Sequence, residues 1–335
     1  MNVTKDCLGI DVSKDLLECC LGLSTKSDEQ IFMGEKKFKN DPQGFKDLLS
    51  WVRQNTKNEV LYVMEATGVY YEHLAYWLHD QGLALSVVLP NKVNYFAKSH
   101  NIKTKTDGVD ARVLARMGLE RDLDPWHVPS KAMREVKLLT REYRELKRKV
   151  TATKNQLHAK GSGYQCPASI IKRLKRQIRV LETQLMEVEA ELRILVMRDS
   201  FLADQVERLE TIPGVSFMTI ICVIGETNAF ALVKNAKQLA SYCGLDVQHN
   251  QSGTKQGKTR ISKKGNSYIR QALYMPALCA TRHNPHLKTF YNRLTQKKPA
   301  KKIAVTAVAR KLLILIYTLW KNETEFNPEY AVKTT

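Results

Sequence analysis

No aspartate or glutamate falls between Asp246 and Glu323, while 16 lysines and arginines do. A surface that only had to stay soluble would mix both signs. A one-signed stretch of this length repels itself unless a polyanion lies against it. Residues 1–110 hold 13 basic and 15 acidic side chains, whereas the 335-residue chain carries a formal charge of +19. The positive charge therefore belongs to the later two thirds. It points to nucleic acid, with an anionic membrane surface as the competitor.

The features that competitor would need are missing. The most apolar run, around 311–320, is too short to span a bilayer and is flanked by charge. The first residues carry no signal-peptide pattern. Seven cysteines occur (Cys7, Cys19, Cys20, Cys166, Cys222, Cys243 and Cys279), but none stands in a CxxC pair. That excludes a zinc knuckle and a CxxC redox motif, and their mostly apolar contexts read as reduced core positions. The expectation is a cytoplasmic, nucleoid-associated protein with no membrane partner.

Proline and glycine are nearly absent between 131 and 210, apart from Gly161, Gly163 and Pro167. Apolar residues there recur at helical spacing: Val136, Leu139, Tyr143, Leu146 and Val150, then Ile171, Leu174, Ile178, Leu181, Leu185, Val188, Leu192 and Leu195. This predicts two long helices broken near Gly161-Ser162-Gly163, the second with coiled-coil character. An internal hairpin and a dimerisation arm both fit; the arm is favoured because such helices have little other surface to cover.

Before this zone, short apolar runs predict strands at 7–10, 17–23, 30–39, 60–64 and 84–89, and helices at 42–53, 69–81 and 107–119. Strands followed by alternating helix and strand imply an α/β layer fold. After it, Thr211-Ile212-Pro213-Gly214-Val215 separates two apolar helical stretches in the manner of a helix-hairpin-helix. A helix is expected around 237–243, then a polar, Gly/Lys-rich stretch over 248–266, then helices near 268–281 and 303–321. The domain reading is 1–124, 125–208 and 209–335.

Four acids stand out by placement. Asp11 follows a buried-strand pattern in Gly9-Ile10-Asp11-Val12, and Glu65 follows another in Val63-Met64-Glu65-Ala66-Thr67-Gly68. Asp107 and Asp110 stand three apart at the start of a predicted helix and so share one face. Carboxylates at the ends of neighbouring strands can converge with that face. Such a cluster repels itself unless cations neutralise it, and Mg²⁺ is the natural choice: hard, oxygen-seeking, held by a few carboxylates plus substrate phosphate. Two such ions could flank a phosphodiester. Taken singly, Asp107 and Asp110 also read as acids complementing a helix dipole and Asp11 as a turn residue.

These motifs, with Lys105-Thr106-Asp107-Gly108-Val109-Asp110-Ala111-Arg112, resemble those of the DEDD-type insertion-sequence transposases over essentially the whole chain. The resemblance implies an RNase H-like (RuvC-like) α/β N-terminal domain and a kinship with the Piv/MooV DNA invertases; joined to the periodicity above, the expected fold is that domain, a helical coiled-coil middle and a mainly α C-terminal transposase domain. It implies that Asp11, Glu65, Asp107 and Asp110 are catalytic and bind metal. In the last domain the family has a serine in a Ser-Gly context, which implies Ser252 as nucleophile on the scissile phosphate. Gly244-Leu245 precedes it and Arg260-Ile261-Ser262-Lys263-Lys264-Gly265 follows. Relatives often have Pro shortly after that Gly-Leu, where this chain has Asp246-Val247.

Read without the family, Ser252 is a loop serine, Ser262 and Ser267 compete with it, and His249 is the nearest imidazole. Lys255, Lys258, Arg260, Lys263, Lys264 and Arg270 are the expected phosphate-holding group. The resemblance implies as partners donor and target DNA, a structured bridge RNA, and a homodimer assembling into a dimer-of-dimers. The alternatives are a carboxylate-only nuclease such as a Holliday-junction resolvase, and a non-catalytic nucleic-acid-binding protein.

Overall fold

The computed structural model describes residues 3–25, 29–104, 106–249, 251–252, 255–257, 259–297 and 300–329. The chain divides into two compact units, 1–128 and 129–335.

The first unit runs β1 (Val3–Val12), β2 (Leu16–Thr25), β3 (Gln30–Lys39), α1 (Pro42–Asn55), β4 (Val60–Glu65), α2 (Glu72–Asp80), β5 (Leu85–Val88), α3 (Pro90–Ser99) and α4 (Asp107–Glu120). The strands form one sheet in the order β3-β2-β1-β4-β5. β1, β2 and β3 pair antiparallel, while β4 lies parallel to β1 and β5 parallel to β4. β1 is central, and alternation along it supplies both faces. Leu8 and Ile10 join Leu17, Leu21, Phe45, Leu48, Leu74 and Leu78 in one core. Cys7 joins Val63, Val93, Phe96, Val113, Leu114 and Met117 in the other. The α/β layers expected from the sequence are present, with one further helix, α3.

The approach of α4 to β1 is decided by small residues. A Cβ on Gly9 would lie 2.1 Å from the Ala111 carbonyl oxygen and 2.2 Å from the Ala115 nitrogen. A Cβ on Gly118 would meet Cys7 Sγ at 2.2 Å. With Gly9 beside Ala111 and Ala115, and Gly118 beside Cys7, α4 runs opposite to β1. Its first turn is thereby delivered to the C-terminal end of β1.

The second unit holds α5 (Lys131–Gly161), α6 (Ala168–Met197), α7 (Ser200–Glu210), α8 (Phe217–Thr227), α9 (Ala236–Tyr242), β6 (Val247–Gln248), β7 (Gln251–Ser252), β8 (Lys255–Gln256), β9 (Arg260–Ile261), α10 (Ser267–Ala272), α11 (Tyr274–His283), α12 (Pro285–Lys297) and α13 (Lys301–Asn322). The two long helices form as expected and pack on each other, with Lys154 and Glu182 paired at 2.7 Å. They do have other surface to cover: Met133, Val136, Leu192 and Leu195 share one core with α7, α8, α11 and α13. A Cβ on Gly225 of α8 would lie 2.9 Å from Val136 Cγ1. The sequence separates three zones where the packing separates two units, because the ends of the long helices carry apolar residues that the later helices need.

The turn between α7 and α8 is built as a tight hairpin. Gly214 has φ +86 and a Cβ there would meet Cys279 Sγ at 3.0 Å, so the turn packs on α11. The helix expected over 268–281 divides at Leu273 into α10 and α11. The apolar run near 311–320 belongs to the 22-residue α13, long and apolar enough by length and composition to cross a membrane. Val308, Leu312, Leu313 and Ile316 of that helix are fully buried in the core.

Candidate active site

Asp11 is the last but one residue of β1. Antiparallel pairing sets Glu18 of β2 opposite it. Parallel pairing sets Ile10 beside Met64, so the next residues, Asp11 and Glu65, end adjacent strands together. The third contribution comes from α4. Thr106 caps that helix by accepting from the Val109 amide at 3.3 Å, and Asp107 and Asp110 occupy its first turn. Because α4 is docked through Gly9, that turn lies over the same strand ends. Four acids separated by up to 99 positions are thereby gathered.

The electrostatics record the gathering. Partial burial pushes the Asp11 carboxyl up, and the charges of Asp107, Asp110, Glu65 and Glu18 push it further, to about 6. A carboxylate with this many like neighbours releases its proton reluctantly unless a cation joins it. All four donors are oxygens, which suits a hard divalent ion. Among the described residues no group of three or more acidic, histidine or cysteine side chains is closed around a point that could hold a metal as it stands. Mg²⁺ keeps several of its waters and takes only one or two carboxylates directly, so the residues fit the ion without a preformed cage.

Two acids and a lysine join the site that sequence reading missed. Glu18 and Glu35 both bring a carboxylate oxygen to 3.6 Å from where a Cβ on Gly108 would stand. Lys37 of β3 is hydrogen-bonded to Glu18; that bond and charge, together with Asp107, hold its proton more firmly than usual. No local signal marks them: Glu18 and Lys37 become partners only through the register of β2 and β3, with Glu35 two residues from Lys37 on the same strand face. Thr67 donates to Glu65 Oε1, orienting that carboxylate from the loop after β4.

In the second unit, the stretch 248–266 contains a narrow β ribbon. β6 pairs antiparallel with β9, and β7 with β8, with Ser252 opposite Lys255. Ser252 is exposed in the outermost described pair. The competing serines are placed differently. Ser262 donates to Asp246, and its backbone amide donates to the Asp246 carbonyl at 2.9 Å, closing the foot of the ribbon. Ser267 opens α10. Asp246 is therefore a ribbon-closing acceptor. Arg260, Lys263 and Lys264 are exposed. Lys258 and the side chain of Lys255 lie outside the described residues. Arg270 turns inward: its Nη1 donates to the carbonyls of Cys243 at 2.7 Å, Gly265 at 2.9 Å and Asn266 at 3.3 Å. His249 is exposed.

Comparison with known proteins gives two family matches, a transposase family over residues 8–160 and the transposase IS116/IS110/IS902 family over residues 206–292. The pilin gene-inverting protein of Moraxella lacunata is 30% identical, covering 97% of this chain and 98% of its own. That of Moraxella bovis is 29% identical over the same shares. Among solved structures, Thermus thermophilus RuvC in complex with a Holliday junction substrate aligns at 11% identity and TM-score 0.28, over 36% of this chain and 99% of its own.

Proposed function

Because the chain belongs to the IS116/IS110/IS902 family of transposases and is therefore a DNA transposase or recombinase, we propose that it cuts and rejoins DNA with two sets of residues. Asp11, Glu65, Asp107 and Asp110 form a Mg²⁺ site in an RNase H-like, RuvC-like domain. Ser252 is the nucleophile. The observation that carries this reading is the docking of α4 on Gly9, which collects the four acids and raises Asp11 to about 6. The strand order, with β1 central and the acids at its C-terminal end, supports the RNase H-like assignment.

The protein's own groups divide the work. The acid cluster gives oxygen ligands on rigid strand ends and a helix turn, with Thr67 and Lys37 fixing the orientation of Glu65 and Glu18. A bound divalent ion would supply stabilisation of the charge developing on the phosphate oxygens. Ser252 Oγ forms a bond to phosphorus as the bond from phosphorus to one sugar oxygen breaks. The serine proton passes through solvent to that departing oxygen. The phosphoserine ester conserves the bond energy, so a second DNA hydroxyl can reverse the step without ATP. Arg260, Lys263, Lys264, Lys255 and Lys258 hold phosphates beside the serine, and Arg270 holds the ribbon that presents them.

The substrates on this reading are a donor and a target DNA, with strand exchange of the kind that inverts or inserts a segment. A structured bridge RNA is the proposed guide, accommodated by the basic surface. A dimer and a dimer-of-dimers are the proposed assembly. Apolar side chains left exposed on α6 support it, among them Val180, Met186, Ile194 and Met197.

The test is to trap the protein–DNA adduct. Wild-type protein with Mg²⁺ forms a covalent species that survives denaturation. Ser252→Ala abolishes it while DNA binding persists, and Asp11→Asn reduces recombination by at least ~100-fold. An adduct that persists in Ser252→Ala overturns the serine role. Cleavage without any adduct points instead to a carboxylate-only nuclease. Sequencing the nucleic acid that co-purifies tests the guide: a single discrete structured RNA is expected.

A further inference from the structure

Glu226, near the C-terminal end of α8, is 1% exposed. Both oxygens of its carboxylate are engaged: Oε1 accepts from Arg141 Nε at 2.6 Å, and Oε2 accepts from Arg141 Nη2 at 3.0 Å and from Asn266 Nδ2 at 2.7 Å. Its backbone carbonyl accepts from the Tyr242 hydroxyl at 2.8 Å. Arg141 is partly exposed, and an ion pair that buries one charge in this way is a weak source of stability, since well-packed apolar residues would serve as well or better. What it does supply is a fixed geometry between the elements it joins, here α5, α8, α9 and the start of α10.

The other end of Asn266 shows what is being held. Its side-chain oxygen caps α10, accepting from the Tyr268 amide at 2.9 Å and the Ile269 amide at 3.1 Å, while its own amide donates to the Tyr242 carbonyl at 2.8 Å. Asn266 is where the ribbon returns to the body of the unit. The outgoing strand leaves at Gly244, whose carbonyl accepts from Lys263 at 3.0 Å. The two legs are so close that a Cβ on Gly265 would lie 2.4 Å from the Tyr242 carbonyl oxygen. Arg141 and Arg144 stack over Tyr268 with their guanidinium carbons 4.4 and 4.2 Å from the ring centroid, tying α5 to α10 a second time.

We propose that the Glu226–Arg141–Asn266 cluster is a positioning device for the serine ribbon, setting the angle at which its foot leaves the domain and hence where Ser252 stands. This rests on the reading of Ser252 as nucleophile. Ser252 stands four residues along the chain beyond Gln248, where the β6–β9 ladder at the foot ends. A shift of the foot is carried outward to it, and a misplacement of only ~1 Å already costs a positioned reaction about two orders of magnitude. Neither Glu226 nor Asn266 touches the reacting atoms in this account; they act through the ribbon.

Two variants of the full-length protein test it. Glu226→Gln keeps size and one acceptor but removes the charge. Asn266→Ser keeps a helix-capping oxygen and deletes only the donation to Glu226, so it serves if Glu226→Gln fails to fold. For each, three quantities are measured: adduct formation at saturating DNA, the Kd for DNA, and amide hydrogen exchange over 247–261 against that of α8 and α13. Glu226→Gln is expected to lower the saturated rate about 100-fold, with Kd within about threefold. Exchange in the ribbon should rise about tenfold while α8 and α13 keep their protection. Asn266→Ser should show the same pattern at about a tenfold loss of rate. Unchanged ribbon exchange in a folded variant overturns the proposal, as does a loss of rate that only follows the folded fraction. An adduct that survives Ser252→Ala instead overturns the serine assignment; the exchange readout then judges the positioning role alone.

Discussion

Asp11 shows how a single side chain reports its neighbourhood. Burial and four like charges raise it from an ordinary 3.8 to about 6. The folded protein thus holds the proton more tightly than the unfolded chain does. The stability this contributes is complete below about pH 4 and lost as pH rises through about 6. Without divalent metal, the unfolding midpoint of the first unit should therefore fall as pH is raised from 4 to 7. Asp11→Asn should flatten that fall and, at pH 7 in chelator, stabilise the unit by roughly 1–3 kcal/mol. Mg²⁺ should raise the wild-type midpoint and leave the variant unmoved. A variant less stable than wild type in chelator would contradict the clustering. Asp11, Glu65, Asp107 and Asp110 were each legible because strand ends and helix starts are local features. Glu18 and Lys37 were not, because a charged pair in a strand reads as an ordinary solvated face until the register places it beside Asp11.

At the level of elements, small residues decide where α4 lies. Gly9→Val has no space at 2.1 Å from the Ala111 carbonyl. It should shift α4 off the sheet, cost upwards of ~3 kcal/mol, and abolish the Mg²⁺-dependent rise in unfolding midpoint even where the fold survives. A tolerated Gly9→Val with normal metal response would mean α4 does not position the site. Most elements of the first unit were legible from periodicity, since their apolar residues alternate or recur at helical spacing. α3 was missed because it buries only Val93 and Phe96 and sits behind Pro90. The ribbon was missed for a different reason. Its ladders are two residues long, with Val247 opposite Ile261 as the one apolar pair among the described residues, so no run of apolar alternation marks them. The foot is held instead by bonds to α8, α9 and α10.

For the molecule as a whole, charge asymmetry and the paired helices set its expected partners. Replacing Arg260, Lys263 and Lys264 together by alanine should weaken DNA binding across sequences and flatten the salt dependence, by about 0.9 in log–log slope for each phosphate no longer neutralised. An unchanged slope would place these side chains away from DNA. Met186 and Ile194 lie exposed on α6, at 67% and 54%. Changing both to glutamate should shift sedimentation of the protein toward the monomer without lowering the unfolding temperature of the second unit; a monomeric wild type would remove the case for the helical arm.

The amino-acid sequence alone determined what depends on composition and neighbours along the chain: the basic later two thirds, the strands and helices with strong periodicity, the four acids and the transposase motifs around them. Only tertiary structure decided which distant groups share a site. Lys37 neutralising Glu18, Glu226 receiving Arg141 and Asn266, and Arg270 reaching the Cys243 carbonyl all join residues whose spacing carries no period. Such pairings follow from how close two backbones can come, as at Gly9, and from the burial that makes an unpaired charge costly.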